Sequence, residues 1–396
     1  RHMRRVSRSR FEEEHRRLNV QQKKAVDTIE GPVMVIAGPG TGKTQVIALR
    51  VANIMRRTHM RPGNILCLTF SIAAATEMRQ RLRGIIGPDA YGVTIASFHG
   101  FCNDLILDHP LIFEEWSALE HISDIERYRA VNRIIEEMPP TMSLVSRKQP
   151  HLQTRDILER IAELKREGVT DRAELLRIAD TYDRRMEEAS KPGTKQREKD
   201  RNRAKHFREF LEVFFRYQEA LKESRRYDYE DMILVVLEAL LEHDWLLASL
   251  QERYQYILVD EFQDTNGAQA KLLELLTTYA EGVRQDPNLF VVGDDDQAIY
   301  RFQGATIRNI LALCERFPSA PVIPLTVSYR CSQMILDAAG RLIAKNAGRL
   351  VGNIAGFSKN LTAVGRRKGE SPILFLSESE RTEQWRVADL IEERLH

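Results

Sequence analysis

The fold of this chain is decided by one stretch, Met34-Val35-Ile36-Ala37-Gly38-Pro39-Gly40-Thr41-Gly42-Lys43-Thr44. It begins in an apolar run typical of a buried strand, passes through a glycine-rich turn and opens a segment whose apolar residues recur at helical spacing: Ile47, Val51, Ile54 and Met55. A phosphate-binding loop requires this order, because glycines let backbone N–H groups close round a phosphate and the helix dipole adds positive potential. We therefore predict a nucleoside triphosphate site here.

Within this stretch, Lys43 is placed to reach the β- and γ-phosphates, and the hydroxyl of Thr44 is placed to bind Mg²⁺. Ala37 stands where the usual pattern has its first glycine, and a small residue suffices there. The alternative is a chance glycine-rich turn, which the flanking strand and helix disfavour. The predicted nucleotide-binding residues of the stretch are Ala37, Gly38, Pro39, Gly40, Thr41, Gly42, Lys43, Thr44 and Gln45.

Composition limits the remaining possibilities. At 396 residues, with 43% hydrophobic and 29% charged residues, the chain has room for two or three ordinary globular domains. Its net charge of +2 means that any affinity for nucleic acid must come from local basic patches. Four separated cysteines without a C-x-x-C pair indicate neither a disulfide framework nor a metal cluster, and we expect a cytoplasmic location. No apolar run is long enough to span a bilayer, so no membrane partner is expected.

Strand and helix signals divide the chain into regions. Alternating strands and helices predict a parallel sheet with helices on both faces, interrupted by a long helical region. A third region is expected to begin near Ser319, with strands at Val322–Leu325 and Pro372–Leu376. The arginine-rich segment 1–17 is expected to be a disordered basic arm rather than a phosphate contact.

A pair of acidic residues, Asp260 and Glu261, directly follows the apolar run Ile257–Val259. This is the carboxyl end of a predicted buried strand, where open α/β sheets bind their ligands. We expect Asp260 to hold Mg²⁺ together with Thr44, and Glu261 to orient and deprotonate an attacking water. The alternative is an acidic pair that simply begins a helix.

Two segments carry a specific family resemblance. Val259-Asp260-Glu261-Phe262-Gln263-Asp264-Thr265 and Gly293-Asp294-Asp295-Asp296-Gln297-Ala298-Ile299-Tyr300 resemble motifs II and III of the superfamily 1 DNA helicases of the UvrD/Rep/PcrA type. Further motifs of this family are matched in order: Leu18-Asn19 with Gln22 resembles the Q motif, Leu68-Thr69-Phe70-Ser71 motif Ia, Ser97-Phe98-His99-Gly100 motif Ib, and Ser328-Tyr329-Arg330 motif IV. The matches span residues 18 to 330.

The resemblance implies a fold. It is an α/β fold with a RecA-like P-loop NTPase parallel sheet, a helical inserted domain and the first part of a second RecA-like domain. The implied divisions are a basic arm at 1–17, a first RecA-like domain in two parts at 18–101 and 226–318, the inserted domain at 102–225, and a partial second RecA-like domain at 319–396.

The resemblance also implies roles at the nucleotide. Gln22 pairs with the adenine edge, and Tyr329 stacks on the base. Gln297 senses the γ-phosphate, and Arg330 neutralises the transferring phosphoryl group. The expected catalytic residues are thus Glu261, Lys43, Gln297 and Arg330, with ATP and Mg²⁺ as cofactors. The neighbouring Asp294, Asp295 and Asp296 are interpreted as loop carboxylates rather than a second metal site.

For single-stranded DNA, the resemblance implies aromatic platforms, because stacking tolerates any base. The expected contacts are Phe70, His99, Tyr300 and Phe302, and for each the alternative is a buried core side chain.

The sequence also departs from the family pattern. Ile72 and Ala73 replace an asparagine and a lysine of motif Ia, Phe302 and Gln303 stand where tryptophan and arginine are common, and Gln45 stands where an arginine often follows the loop threonine. Nothing after Arg330 resembles motifs V and VI. We therefore expect an N-terminal portion that binds nucleotide with weak or absent ATPase activity on its own.

The expected function is ATP-dependent translocation along single-stranded DNA with 3′→5′ unwinding at duplex junctions; the protein partner is unknown. Two alternatives stay open: a helicase subunit of a recombination nuclease complex of the AddAB or RecBCD kind, and a non-motor nucleotide-binding regulatory protein. A small-molecule kinase is a weaker third alternative.

Overall fold

A computed structural model describes residues 2–139, 141–142, 144, 150–189, 193–279, 286–298, 307–346, 359–364, 373 and 375–395. Its central sheet has six parallel strands in the order β3-β2-β6-β7-β1-β8. The strands are β1 Val33–Ala37, β2 Ile65–Thr69, β3 Thr94–Ser97, β4 Glu120–His121, β5 Arg226–Tyr227, β6 Tyr256–Val259, β7 Leu289–Gly293, β8 Val322–Leu325, β9 Val327–Ser328 and β10 Thr362–Ala363.

Helices cover the sheet and build the region between β3 and β6. They are α1 His2–Arg17, α2 Val20–Asp27, α3 Lys43–Arg57, α4 Ile72–Ile86, α5 Phe98–Asp108, α6 Glu114–Ser117, α7 Asp124–Glu137, α8 Thr154–Arg166, α9 Arg172–Glu188, α10 Lys195–Glu223, α11 Asp231–Glu242, α12 Asp244–Arg253, α13 Gly267–Thr277, α14 Ile307–Arg316, α15 Gln333–Ile343 and α16 Glu380–Leu395. The predicted α/β class and its parallel sheet are confirmed.

The sheet is buried on both faces. Every residue of β1, β2, β6 and β7 is buried, which agrees with their continuous apolar sequences. Because all strands are parallel, their carboxyl ends lie at one edge, and the segments that follow β1, β7 and β6 come together there. The fold therefore positions residues 42–44, 260–264 and 294–297 of the first unit at one edge.

The described chain forms two compact units. The first comprises Arg1–Ala37 and Gly42–Leu325, and the second comprises Gly38–Thr41 and Thr326–His396. The expected boundary near Ser319 is wrong, because β8 pairs in parallel with β1 and so completes the sheet of the first unit. An apolar strand pattern does not reveal which sheet the strand joins.

The N-terminal segment is also different from its prediction. Residues 2–17 form helix α1 instead of a disordered arm. Phe11 is 4% exposed and belongs to the core of the first unit, and Arg56 of α3 stacks over its ring at 4.3 Å. Arg10 donates to the carbonyl of Gly84 at the end of α4. One buried aromatic ring among many charges orders this helix.

The region between β4 and β5 forms a helical insert with its own core. That core contains Ile134, Ile161, Leu175, Phe210 and Phe214. The chain enters and leaves the insert side by side, since β4 and β5 pair in parallel at Glu120–Arg226 and His121–Tyr227.

In the second unit, β9 pairs with β10 in parallel, and α15 packs beside β10. The strand expected at Pro372–Leu376 is not seen in the described part of that stretch, where Ile373, Phe375 and Leu376 are exposed and have no strand structure. The described part of the chain ends in helix α16, Glu380–Leu395. Across the described residues, no helix has the length and apolar character that crossing a membrane requires.

Candidate nucleotide site and aromatic pocket

The phosphate loop ends at the N-terminus of α3. Gly42 caps this helix with a φ of 85°, a left-handed conformation that favours glycine, and no side chain caps the helix. The first backbone N–H groups of α3 therefore face the loop without a capping oxygen, as phosphate binding requires. A Cβ at Gly42 would lie 3.0 Å from Nε2 of Gln22, so the Q-motif glutamine lies directly beside the loop.

Gln22 is held in place by its own helix. It is 4% exposed, and its Oε1 accepts from the backbone N–H of Asn19, while the Asn19 side chain accepts from the N–H of Gln22. This reciprocal capping box begins α2. Gln45, in the first turn of α3, donates to Glu14 of α1 over 3.1 Å.

Lys43 and Glu261 form an ion pair. The distance from Lys43 Nζ to Glu261 Oε2 is 2.7 Å, with side-chain exposures of 12% and 32%. Lys43 follows β1 and Glu261 follows β6, so the parallel sheet brings together two residues far apart in sequence. Glu261 has a φ of 48°, which is uncommon for a residue with a side chain and typical of functional sites.

Asp260 is a buried carboxylate beside this pair. Burial raises its pKa to about 6, and the neighbouring Glu261 adds to the effect. A divalent cation would supply the positive charge that this site lacks, and oxygen atoms from Asp260 and the Thr44 hydroxyl are the ligands that Mg²⁺ prefers. The residues present thus fit a magnesium ion.

Strand β7 lies between β6 and β1 in the sheet, and the segment after it carries three consecutive aspartates and Gln297. Asp294 accepts hydrogen bonds from the N–H of Asp296 and from Nε2 of Gln297. Asp294, Asp295 and Asp296 have ligand oxygens within 4.8 Å of one another. We assign no metal there, since adjacent acidic residues are common without one and Asp294 is occupied by backbone and side-chain donors.

Tyr329 and Arg330 belong to the second unit, where both are exposed. The N–H of Tyr329 donates to the carbonyl of Gly40, and the hydroxyl of Ser328 donates to the carbonyl of Pro39, each over 2.9 Å. Gly40 has a φ of 70°, and a Cβ there would lie 2.5 Å from Cβ of Arg330. Residues 328–330 therefore lie against the glycine turn of the phosphate loop.

A cavity that we call the aromatic pocket lies in the first unit. Its volume is about 190 Å³, well below the roughly 300–1,000 Å³ of typical small-molecule sites. Phe70 and His99 both line it, as does Tyr229, which stacks on His99 with ring centroids 3.9 Å apart. Phe70 is 43% exposed and Tyr229 48%. The other two aromatic residues predicted for DNA, Tyr300 and Phe302, lie outside the described residues.

Tyr229 is anchored by a buried charge cluster, which we define as Lys165, Asp228 and Asp231. Lys165 Nζ lies 2.6 Å from Asp228 Oδ2 and 2.7 Å from Asp231 Oδ1, and the lysine side chain has no exposed surface. Burial opposes the ionised form of Asp228, but the Lys165 ammonium holds its pKa below the usual range. Burial raises the pKa of Asp231 to about 7 against the effect of Lys165, because one ammonium faces two carboxylates.

The partly buried His99 of the aromatic pocket is expected to make the stability of the protein depend on pH. Burial lowers its pKa from 6.5 to about 4, with Arg166 adding to the effect, and its Nε2 has no hydrogen-bond partner among the described residues. Because the unfolded chain takes up the His99 proton at a higher pH than the folded protein does, the free energy of unfolding is highest above pH 6.5 and falls as the pH drops toward 4. We expect the free energy of unfolding to fall by about 2 kcal/mol between pH 7.5 and pH 5.

Urea denaturation should show that His99→Gln removes this pH dependence. The matched control is His59→Gln, at an exposed histidine, which should leave the pH dependence unchanged. Equal pH profiles for wild type and His99→Gln would contradict the assignment.

Sequence reasoning missed three residues that the geometry brings into the site: Tyr229, Gln263 and Lys165. Tyr229 stands within the acidic run Asp228-Tyr229-Glu230-Asp231, which resembles an ordinary solvated turn. An aromatic residue flanked by acids shortly before an apolar helix was the available signal. Lys165 carried none, since a lysine at the end of a charged helix is usually exposed.

Comparison with known proteins gives a consistent result. Residues 18–318 match the family model described as the UvrD/REP helicase N-terminal domain. The chain is 33% identical over 340 residues to the ATP-dependent DNA helicase PcrA of Bacillus subtilis (strain 168), covering 85% of this chain and 41% of that protein. It is 32% identical over 334 residues to the ATP-dependent DNA helicase UvrD1 of Mycobacterium tuberculosis (strain ATCC 25618 / H37Rv), covering 84% and 40%. The chain thus spans about two fifths of the length of these curated relatives.

Proposed function

Because this chain belongs to the UvrD/REP helicase family, we propose that it binds ATP with Mg²⁺ and single-stranded DNA as part of a DNA-translocating motor. The observation that carries the proposal is the 2.7 Å pair between Lys43 and Glu261 at the carboxyl ends of β1 and β6. It brings a phosphate-binding lysine and a candidate general base to one edge of a parallel sheet. Relatives named ATP-dependent DNA helicases support the same activity for the whole protein.

In the proposed nucleotide site, Lys43 and the N–H groups of α3 bind the phosphates, and Gln22 reads the adenine edge. A bound Mg²⁺ would be held by Thr44 and Asp260 and would neutralise phosphate charge. Glu261 takes the proton from the attacking water.

Other residues extend the site. Gln297 responds to the γ-phosphate, and Arg330 stabilises the transferring phosphoryl group. Tyr329 stacks on the adenine, while Gln45 and the turn residues Ala37, Gly38, Pro39, Gly40, Thr41 and Gly42 complete the nucleotide contacts.

The Lys43–Glu261 pair has a mechanistic consequence. While it holds, the lysine and the base neutralise one another, so neither is free for its role. A bound triphosphate offers Lys43 a stronger anionic partner. Binding then releases the Glu261 carboxylate to face water at the moment when a substrate is present.

For DNA, we propose that bases stack in the aromatic pocket. Phe70 and Tyr229 are half exposed and line the same small cavity as His99, which suits single bases in any sequence. Tyr300 and Phe302 extend this set by family resemblance. Unwinding in the 3′→5′ direction at duplex junctions, and a cytoplasmic location in keeping with four free cysteines, complete the proposal.

The DNA half of the proposal is tested at the pocket. Base stacking contributes about 1–3 kcal/mol, so Tyr229→Ala and Phe70→Ala should each weaken oligo-dT binding by about 5- to 150-fold. Tyr229→Phe should bind nearly as wild type, since stacking needs the ring. Fluorescence anisotropy gives the Kd. Tyr91→Ala, at an exposed tyrosine away from the pocket, is the matched control. Unchanged DNA affinity in both pocket variants would remove the pocket from the DNA site.

A further inference from the structure

The side-chain amide of Gln263 forms hydrogen bonds with both its nitrogen and its oxygen, and it lies between the proposed nucleotide site and the aromatic pocket. It is 1% exposed and lies in the short 3-10 turn Phe262–Asp264. Its Nε2 donates to Glu261 Oε2 over 2.9 Å and to Asp264 Oδ2 over 3.1 Å. Its Oε1 accepts from the backbone N–H of Asp294 over 2.8 Å. One buried amide therefore bonds to three residues in the two segments that follow β6 and β7.

Two of these partners, Glu261 and Asp294, lead to the nucleotide site, and Asp264 leads to the aromatic pocket. The Glu261 oxygen that accepts from Gln263 also pairs with Lys43. Asp264 lines the aromatic pocket, and its second oxygen, Oδ1, is buried without a hydrogen-bond partner among the described residues. Among the residues that the structure describes, that carboxylate therefore has one side-chain hydrogen bond, which it accepts from Gln263.

The third partner connects to Gln297. The Asp294 carboxylate accepts from Nε2 of Gln297, and its N–H is the group that donates to Gln263. Gly293 precedes it, and a Cβ at that position would lie 2.8 Å from Gln263 Oε1 and 3.3 Å from the Gln263 backbone N. The amide fills the space over this glycine, so it has no room to move toward β7.

We propose that Gln263 is a positioning residue that couples DNA in the aromatic pocket to the nucleotide site. A base that enters the pocket displaces Asp264, and the amide follows because its other side is blocked by Gly293. Its hydrogen bond to Glu261 then changes, which alters how firmly Glu261 is held against Lys43. Nucleotide binding acts in reverse through the same bonds, since coupling between two ligands is reciprocal. The inference rests on the proposed function.

The test compares DNA affinity with and without nucleotide. The Kd for fluorescein-labelled oligo-dT is measured on this chain alone and with saturating Mg²⁺ and a non-hydrolysable ATP analogue. We expect the two wild-type values to differ by about 5- to 150-fold. In Gln263→Met, which keeps the length of the side chain and loses its hydrogen bonds, the ratio should fall to about 1 while each ligand alone still binds. Loss of the ratio with retained separate binding is a result that a merely structural role would not give.

Gln251→Met is the matched control. The Gln251 amide also donates to two acceptors, the carbonyls of Leu275 and Thr278, each over 2.8 Å. These acceptors lie at the end of α13 and touch neither site, so the ratio should stay at its wild-type value.

Two further variants change neighbours of the Gln263 amide, and they test the inference if Gln263→Met fails to fold. Gly293→Ala pushes on Gln263 Oε1, and Asp264→Ala removes the acceptor on the pocket side. Both should also bring the ratio to about 1. A wild-type ratio of 1, or variants that keep the wild-type ratio, overturns the inference. Wild-type protein that binds neither ligand instead overturns the proposed function on which it rests.

Discussion

Replacing Lys165 with methionine is expected to lower the free energy of unfolding by about 3–5 kcal/mol near neutral pH. The methionine fills similar space, but it leaves Asp228 and Asp231 buried together without the ammonium that neutralises them. Uncompensated buried charge costs far more than the same charge in water. Urea denaturation followed by circular dichroism measures the loss.

The size of this loss should depend on pH. Without the lysine, protonation of the two carboxyls removes the buried charge, so the penalty should be smaller at pH 5 than at pH 8. Lys205→Met is the matched control, because Lys205 faces Glu209 over 3.6 Å with more than half of its side chain exposed. That variant should change stability by less than about 1 kcal/mol. Equal losses for Lys165→Met and Lys205→Met would show that burial of the charge cluster adds nothing.

A triple variant separates charge from packing. Lys165→Met combined with Asp228→Asn and Asp231→Asn removes all three charges of the buried charge cluster, and it should recover part of the loss. A triple variant as unstable as the single one would assign the effect to lost packing instead.

The second large effect concerns turnover. Measured on the whole protein, Glu261→Gln should reduce ATP hydrolysis in the presence of single-stranded DNA by about 10²- to 10⁴-fold, because an amide does not accept the proton of the attacking water. Nucleotide affinity should be retained or rise, since the carboxylate that competes with phosphate for Lys43 is gone. A fluorescent ATP analogue measures binding, and phosphate release measures turnover.

The control for this variant is Glu274→Gln, an exposed glutamate on α13, which should leave both quantities unchanged. Glu261→Gln protein with wild-type turnover would exclude Glu261 as the base. A large loss of nucleotide affinity would show that the Lys43–Glu261 pair supports binding instead of competing with it.

Local sequence patterns were sufficient for much of the fold. The strand, glycine turn and helix of residues 33–57 are present because apolar periodicity and glycine conformation are local properties. The acidic pair after β6 was placed correctly for the same reason. The assignment of β8 failed because strand partners are chosen in three dimensions. Helix α1 was missed because a single ring, Phe11, decides its packing.

The candidate site divides in the same way. Motif order identified Lys43 and Glu261, but it did not show that they pair directly. Buried hydrogen bonds such as those of Gln263, and buried charges such as Lys165, depend on which surfaces meet. Residue type alone predicts that Gln263 and Lys165 are exposed, since glutamine and lysine side chains usually are. Three-dimensional contacts were needed to find them.

The side-by-side passage of the chain at β4 and β5 has an evolutionary consequence. The chain enters the insert after β4 and returns at β5, and these two strands pair with each other. Because the two ends of the insert lie close together, its length and architecture are free to diverge between lineages while the order of strands in the sheet stays the same. A replacement module would have to supply a cation for Asp228 and Asp231, in addition to the contacts that α8 makes with α13 and the ion pair between Arg166 and Glu230. Lineages that remodel the insert should therefore preserve that single charge more faithfully than the helices around it.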